Sequence, residues 1–282
     1  LAASMNVSEL RTYEVKILER GLSPKTVNLH MSALSGFCRF LMKEEVLASN
    51  PVKLVAKPKV EKRLPAFFKA EAMNDYLSRT SHFLDPSEVE AFLDGWHTKS
   101  GKEYYDEMLS RMIIAILYSL GLRRAELIVL AVGDVDFGRN VVKVRGKGDK
   151  MREIPLIASL SQEILLYLKA VETMCGGKRS LKEPLLVTYK GSGLYPAYVD
   201  KAVKSGLKGQ KGITGRKSPH VLRHSLATEL MNEGTDIFSI KEMLGHSSLA
   251  TTQIYTHSSI AQLKHSYEQA HPRAKNGGKN GD

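Results

Sequence analysis

The sequence predicts a mainly α-helical protein with one small antiparallel sheet of three strands. Over most of the 282 residues, apolar side chains recur every three or four positions, which is the period of an amphipathic helix. Residues 134–157 change to three short runs with turn residues between them, which is typical of strands. A segment at 50–65 contains three prolines and five Lys or Arg residues, and it separates two helical regions.

Composition favours a globular protein with a polyanionic partner. Hydrophobic residues make up 43% and charged residues 25% of the chain, and the net charge is +11. An excess of this kind favours nucleic acid, although a merely soluble basic protein remains the alternative. No apolar run approaches the roughly 20 residues that span a bilayer, so we expect no membrane partner. Cys38 and Cys175 are far apart, which excludes a zinc finger and a disulfide framework and favours a reducing, cytoplasmic compartment.

The first region predicts a helical hairpin. Residues 8–20 form the first helix, Gly21 ends it, and Ser23-Pro24 begins the second with a cap and a first-position proline. The second helix has an apolar stripe: Val27, Met31, Leu34, Cys38 and Leu41. Two helices bury little surface alone, so we expect further partners for them. The extended segment at 50–65 is the predicted domain boundary; it is either a basic contact to a phosphate backbone or a solvated linker.

The second region begins with helices over residues 69–132. Asp85-Pro86 predicts a helix start, and residues 94–103 predict a loop. Tyr105–Leu120 predicts a buried helix that Gly121 ends, and a new helix begins at Arg123.

The sheet and the later helices complete the predicted order. A basic turn at 146–150 joins the second and third strands, helices follow at 161–174 and 196–206, and Leu185–Val187 is a buried strand or loop. The basic loop at 208–217 resembles a phosphate-binding glycine loop only superficially, because no strand leads into it. The tail from Ala274 is predicted to be disordered.

Residues 218–257 carry most of the candidate chemistry. A helix that begins at Ser218-Pro219 places His220 and Arg223 on one face. An arginine among leucines requires an anionic partner, which is either a phosphate or a carboxylate such as Glu229. His220 and His224 also have the spacing of a zinc pair, but Val221 stands where a metalloprotease has Glu and no third ligand is near. A metallohydrolase therefore remains a weak alternative, which chelators would test.

These motifs together resemble the tyrosine recombinase, or phage integrase, family. The resemblance rests on Pro219–His224, on Leu244–Ser248, on Thr252–His257, on Gly121–Leu127 and on Gly146-Lys147-Gly148. It fills six active-site positions in order: Arg123, Lys147, His220, Arg223, His246 and Tyr255. The implied fold is a helical core-binding domain followed by a tyrosine-recombinase catalytic domain.

The resemblance also implies a mechanism without cofactor or metal. Tyr255 would attack the scissile phosphate and form a 3′-phosphotyrosyl link. Arg123 and Arg223 would clamp that phosphate, and His246 would donate to it. Lys147 would be the general acid for the 5′-hydroxyl, and His220 a general base or an orienting group. Glu126, three residues after Arg123, would hold that arginine as a carboxylate partner.

Several motifs, such as Gly21–Pro24 and Ala270–Ala274, point to the Xer-type members of this family. We expect residues 1–57 to form the core-binding domain without its first helix pair, residues 58–273 the catalytic domain, and residues 274–282 a tail. The link at 80–107 is longer than Xer proteins have. Ser259–Gln269 resembles a helix that docks into a neighbouring protomer.

The expected partner is a double-stranded DNA recombination site, bound by a homotetramer or by a heterotetramer with a paralogous recombinase at the nucleoid. Five basic residues are predicted DNA contacts: Lys25, Arg39, Lys150, Arg152 and Lys217. Chromosome dimer resolution is the predicted role. Integration or excision of a mobile element is the alternative, and a DNA-binding protein without catalysis is a further one.

Overall fold

The computed structural model describes residues 6–60 and 67–245, together with residues 267, 270, 271 and 273. The chain divides into two compact units, residues 1–64 and residues 65–282. His246, Tyr255, most of the predicted C-terminal docking helix and the tail from residue 274 lie outside the described residues.

The first unit contains the two predicted helices. Helix α1 spans Val7–Glu19 and helix α2 spans Pro24–Lys43. The Ser23 hydroxyl accepts a hydrogen bond from the Thr26 backbone N–H at 3.2 Å, which satisfies a donor that the first turn leaves without an intrahelical partner. The apolar stripe of α2 faces the core of this unit, where Val27, Met31 and Cys38 are fully buried. The helical hairpin prediction is confirmed.

The segment after α2 is folded rather than extended. Pro51–Leu54 form a 3₁₀ turn, and the Asn50 side chain both caps this turn and donates to the Ser35 carbonyl oxygen at 3.1 Å. Val52 and Val55 are buried in the same core as α1 and α2. The prediction of an extended segment from residue 50 is therefore wrong for its first six residues, because a capped turn lets two valines leave water.

The second unit is built around one buried helix, α5, which spans Lys99–Leu120. Every residue of α5 from Leu109 to Leu120 is buried except Ser110, and α5 packs against helices that precede and follow it in the chain. The other helices of this unit are α3 (Ala70–Arg79), α4 (Pro86–Asp94), α6 (Arg124–Val129), α7 (Ala158–Met174), α8 (Pro196–Gly206), α9 (Pro219–Asn232) and α10 (Ile237–Leu244), of which α4, α6, α7, α8 and α9 pack against α5.

Helix α5 begins earlier than predicted. The Thr98 hydroxyl accepts a hydrogen bond from the Gly101 backbone N–H at 3.1 Å and so caps the helix. Gly101 is buried against the backbone of Trp96, where a Cβ would lie 2.7 Å from the Trp96 Cα. The predicted loop at 94–103 is thus helical from Lys99, since close backbone packing favours the glycine that the helix alone disfavours.

The three-stranded sheet is confirmed. Strands β1 (Val135–Asp136), β2 (Val141–Arg145) and β3 (Met151–Pro155) pair antiparallel in chain order, and Val144 of β2 lies opposite Arg152 of β3. The tip between β2 and β3 contains a 3₁₀ turn at Lys147–Asp149. Leu185–Val187 are buried beside this unit's helices and form a single bridge between Val187 and Gly193.

The last described residues return to the end of α5. Nε2 of His271 lies 3.1 Å from the carbonyl oxygen of Ser119, and Arg273 Nη1 donates to the Ser119 hydroxyl at 2.9 Å. Arg273 also shares the Glu163 carboxylate with Arg111, at 2.7 and 2.8 Å. Within the described residues, none of the helices is long and apolar enough to cross a membrane.

Candidate active site

Arg123 lies at the start of α6, directly after the left-handed end of α5 at Gly121. Its backbone N–H donates to Glu126 Oε2 at 2.8 Å, and its Nη1 donates to Glu126 Oε1 at 2.8 Å. Its Nη2 donates to the carbonyl oxygen of Gly245 at 2.7 Å. The side chain is 33% exposed, so the guanidinium is fixed by protein on one side and open to solvent on the other. The predicted pair with Glu126 is present.

Arg223 is held from the opposite side by α9. It is 7% exposed, its Nη1 donates to the Gly121 carbonyl at 2.5 Å, and its Nη2 donates to the Leu244 carbonyl. Glu126 Oε2 lies 4.0 Å from its Nη1. Burial, with the positive charges of Arg123 and Arg152 nearby, lowers the pKa of Arg223 to about 10. A buried cation held mainly by neutral carbonyls retains a strong attraction for an anion.

Arg152 was predicted to contact DNA, and the structure places it elsewhere. It is 7% exposed, and its Nη1 and Nη2 donate to the two Glu126 carboxylate oxygens at 3.0 and 2.8 Å. Its Nε donates to the carbonyl of Met243 at 2.7 Å. Because all three nitrogens face protein acceptors and the side chain is buried, Arg152 is part of the frame of the site and not a surface contact for phosphate.

Glu126 is therefore a shared acceptor at the centre of the arginine cluster, which we define as Arg123, Arg152, Arg223 and Glu126. Burial alone would raise the pKa of Glu126, but the hydrogen bonds from Arg152 and Arg123 hold this pKa below its ordinary value of 4.5. The carboxylate is thus ionised at neutral pH. Three guanidinium groups around it leave the cluster with excess positive charge.

The C-terminal end of α10 completes this arrangement. Three successive carbonyl oxygens, of Met243, Leu244 and Gly245, each accept from a different arginine of the cluster. These groups have no intrahelical donor at a helix end, and the helix dipole makes that end negative. Gly245 has a φ of +66°, so the chain leaves α10 in a left-handed turn directly beside the cluster. The next residue along the chain is His246.

Of the remaining predicted catalytic residues, the structure describes the positions of Lys147 and His220. The backbone of Lys147 lies at the tip between β2 and β3, after Gly146, where a Cβ would meet Arg152 Nη1 at 3.3 Å. The tip therefore begins against the cluster. His220 lies in the first turn of α9 and is exposed. His246 and Tyr255 are outside the described residues, so the structure brings together Arg123, Arg223 and Glu126 of the predicted set.

A basic groove opens beside the first turn of α9. Asp200 on α8 forms an ion pair with Arg124, and His220 contributes to the same wall. The basic side chains that line the groove are Arg124, Lys204, Lys208, Arg216 and Lys217. Lys217 was predicted as a DNA contact, which stays a prediction; that the other four line a groove with it was not predicted. The density of Lys and Arg over residues 201–217 was the available signal.

The other predicted DNA contacts are exposed. Lys150 lies at the end of the β2–β3 tip. Lys25 and Arg39 lie on α2 of the first unit, 14 positions apart, which places them within about 40° of each other around the helix axis. Their contact with DNA stays a prediction.

His220 and His224, which have the spacing of a zinc pair, have no further metal-ligating side chains grouped with them in the part of the chain that the structure describes. Among the described residues, no three His, Cys, Asp or Glu side chains are grouped so that they could hold a metal ion. The ring of His224 packs edge-on against Phe67, with 6.5 Å between the ring centroids.

The role of Arg152 could have been read from strand alternation. In Met151–Pro155, Arg152 and Ile154 lie on the same face, and both are buried, while Met151 is exposed and Glu153 half-buried. An arginine on the inward face of a strand requires a buried carboxylate. That requirement was the missed signal.

Comparison with known proteins agrees with this architecture. Residues 82–262 match the model of the phage integrase family. The tyrosine recombinase XerC of Chlorobaculum parvum is 33% identical over 273 residues, which cover 96% of this chain and 80% of that protein. The tyrosine recombinase XerD of Staphylococcus haemolyticus is 34% identical over 259 residues, which cover 92% of this chain and 80% of that protein.

Solved structures show the same fold. The XerH site-specific recombinase in a post-cleavage complex with a palindromic difH substrate has a TM-score of 0.65 at 24% identity, covering 93% of this chain and 71% of that one. The Tn1549 transposon integrase with circular intermediate DNA has a TM-score of 0.57 at 22% identity, covering 93% and 85%. With the family model and both curated relatives in agreement, the chain belongs to the phage integrase family, as a tyrosine recombinase of the Xer type.

Proposed function

We propose that the chain recombines double-stranded DNA at a specific site through a covalent bond between Tyr255 and a 3′-phosphate. The observation that carries this proposal is the convergence of Arg123 and Arg223 on the end of α10, with Glu126 fixed between them. Two guanidinium groups held in place by neutral carbonyls form a ready site for a phosphodiester. The family membership supports the same reaction.

The chemistry follows from the charge that develops on the phosphate. The Tyr255 oxygen attacks phosphorus, the bond from phosphorus to the 5′ oxygen breaks, and the phenolic proton passes to a base, for which His220 is the candidate. Arg123 and Arg223 neutralise the non-bridging oxygens as negative charge accumulates there. Lys147 at the hairpin tip delivers a proton to the leaving 5′ oxygen, and His246 donates to the phosphate. Rejoining reverses these steps with a 5′-hydroxyl of another strand.

The partner is duplex DNA, bound through both units. The basic groove and the exposed residues Lys25, Arg39 and Lys150 supply phosphate contacts that release counterions. Exchange of two duplexes needs four active tyrosines, so the assembly is a homotetramer or a heterotetramer with a paralogous recombinase.

A nicked suicide duplex tests the reaction. Cleavage next to the nick releases a short oligonucleotide, so the covalent protein–DNA product accumulates and is seen as a slower band on a denaturing gel. We expect this product with the wild-type chain and none with Tyr255→Phe, at unchanged DNA affinity. Binding without any covalent product from the wild type would overturn the proposal in favour of a DNA-binding protein, and cleavage that a chelator abolishes would favour a metallohydrolase.

The finer role that we propose is Xer-type resolution of chromosome dimers, supported by the curated XerC and XerD relatives. Selection of bound duplexes from a random library, followed by a search for the selected sequence in the host genome, tests it. One chromosomal copy near the replication terminus is the expected result. Copies at the ends of a mobile element would instead assign the chain to integration and excision.

A further inference from the structure

The position of Arg152 carries an inference beyond the catalytic residues. Its side chain connects three elements: β3, on which it lies, α6 through Glu126, and the end of α10 through Met243. These elements carry or adjoin Lys147, Arg123 and His246. We propose that Arg152 is a positioning residue that occupies Glu126 so that Arg123 and Arg223 keep donors for the scissile phosphate. This inference rests on the proposed function.

The argument begins with the competition for Glu126. A carboxylate presents two oxygens, and a guanidinium that bonds both of them in parallel forms the strongest pair. Arg152 takes this bidentate position at 3.0 and 2.8 Å. Arg123 is left with one side-chain bond to Glu126 at 2.8 Å, and Arg223 stays 4.0 Å away. Without Arg152, the same oxygens would be open to a bidentate bond from Arg123 or Arg223, which would turn that group away from the phosphate.

The second step concerns α10. Arg152 Nε bonds the Met243 carbonyl, while Arg223 and Arg123 bond the next two carbonyls. Arg152 therefore fixes the helix end on which both phosphate-binding arginines depend. Loss of this bond would free α10 from β3 and change the direction in which the two guanidinium groups point.

The space around Arg152 is matched to a guanidinium. A Cβ on Gly245 would lie 3.2 Å from Arg152 Nη1, and one on Gly146 would lie 3.3 Å from the same atom. Two glycines thus border Nη1 from the end of α10 and from the start of the hairpin tip. Lysine presents a compact point charge and cannot bridge both Glu126 oxygens and the Met243 carbonyl.

The test separates positioning from folding by changing the charge of the substrate. Wild type and Arg152→Lys are compared on a nicked duplex, selected by the wild-type chain from a random library, with either a phosphate or a methylphosphonate at the cleaved position. The methylphosphonate lacks one negative charge, so arginine contributes less to its cleavage. The matched control is Arg139→Lys, since Arg139, in the turn between β1 and β2, makes a bidentate pair with Glu153 of β3 at 3.0 and 2.9 Å and is exposed.

For Arg152→Lys we expect covalent product to form about tenfold more slowly on the phosphate duplex and less than about threefold more slowly on the methylphosphonate duplex. DNA affinity should not change. Arg139→Lys should stay within about twofold of wild type on both substrates, because its pair is a surface one. Equal slowing on both duplexes would mean a merely structural role and would overturn the inference, as would wild-type rates on both.

A second variant guards against misfolding of the first. Gly146 has a φ of −96°, which alanine also adopts. Gly146→Ala therefore crowds Arg152 Nη1 without straining the backbone and without removing a charge. We expect covalent product to form more slowly than in wild type on the phosphate duplex, with a smaller factor than for Arg152→Lys, and at nearly the wild-type rate on the methylphosphonate duplex. Slowing by the same factor on both duplexes would again overturn the inference. If the wild type forms no covalent product at all, the proposed function fails. If the wild type forms the product and both variants form it at the wild-type rate, only the proposed role of Arg152 fails.

Discussion

Glu126 is a single carboxylate on which three arginines depend, and its ionisation links stability to pH. Its pKa in the folded chain lies below the ordinary value of 4.5. A depressed pKa means that the folded state holds the proton less tightly than the unfolded state. The stabilisation is therefore complete above about pH 4.5 and is lost as the pH falls through the folded-state pKa.

Glu126→Gln tests this linkage. At pH 7 we expect the free energy of unfolding to fall by about 3 kcal/mol, because three buried or half-buried guanidinium groups lose their counter-charge. The difference between wild type and variant should shrink as the pH is lowered below 4.5, since the unfolded wild-type chain then binds a proton at Glu126 that the folded chain does not. Denaturant titrations at pH 7 and at pH 3.5 measure it. A difference that is the same at both pH values would show that the pKa of Glu126 is not lowered in the folded chain.

At the scale of elements, the left-handed end of α5 joins packing to the arginine cluster. Gly121 has a φ of +59°, a Cβ there would lie 2.6 Å from Leu244 Cδ2, and its carbonyl accepts from Arg223. An alanine would therefore strain the backbone, push α10 and disturb the acceptor of a phosphate-binding group at once.

Gly121→Ala is expected to destabilise the chain by about 2–4 kcal/mol and to slow covalent product formation at temperatures where the variant is folded. Gly176→Ala is the matched control, because Gly176 follows α7 with a φ of +73° and has open space around it. The control should cost only about 1 kcal/mol, the backbone term alone, and leave cleavage unchanged. Equal losses in thermal unfolding and in the cleavage assay would refute the link between this helix end and the cluster.

The elements show which structure the sequence could predict. Caps and helix ends such as Ser23, Asp85 and Gly121 were predicted correctly, because their hydrogen bonds are made within a few residues. Residues 50–55 and 99–103 were not: burial of Val52 and Val55 against α1 and α2 decided the first segment, and the Thr98 cap with the packing of Gly101 on Trp96 decided the second. The role of Arg152 depends on acceptors 26 and 91 residues away; strand alternation indicates that this arginine is buried and needs a carboxylate, but it does not show which one. Family motifs supplied Arg123 and Arg223, whereas geometry supplied what holds them.

On the scale of the whole molecule, His271 and Arg273 are fixed to Ser119, about 150 residues earlier in the sequence. His271 is fully buried between Ser119 and Arg273, and its Nδ1 accepts from the Arg273 backbone N–H at 3.2 Å. Nε2 then carries the proton and donates to the Ser119 carbonyl. Burial, with the charge of Arg273 beside it, lowers the pKa of His271 to about 3 from 6.5.

This lowered pKa predicts acid sensitivity. Between pH 6.5 and pH 3 the unfolded chain binds a proton at His271 that the folded chain does not, so stability falls as the pH falls. The loss is about 1.4 kcal/mol per pH unit for this one group. His271→Gln should remove that slope, whereas the control His97→Gln, at an exposed position, should keep it. Thermal unfolding from pH 7 to pH 5 decides, and an unchanged slope in His271→Gln would contradict the prediction.

The side chains of β3 favour one register of the pairing between β2 and β3. Side chains alternate between the two faces of a strand, so a slip of β3 by one residue would turn Arg152 to solvent and bring Glu153 or Met151 to the inner face. Glu153 would then lie next to Glu126, and two buried carboxylates would repel each other with little screening by water. This charge repulsion disfavours the misaligned hairpin relative to the correctly paired one. Glu126, which holds the phosphate-binding arginines, therefore also selects the strand pairing that places Lys147 at the tip.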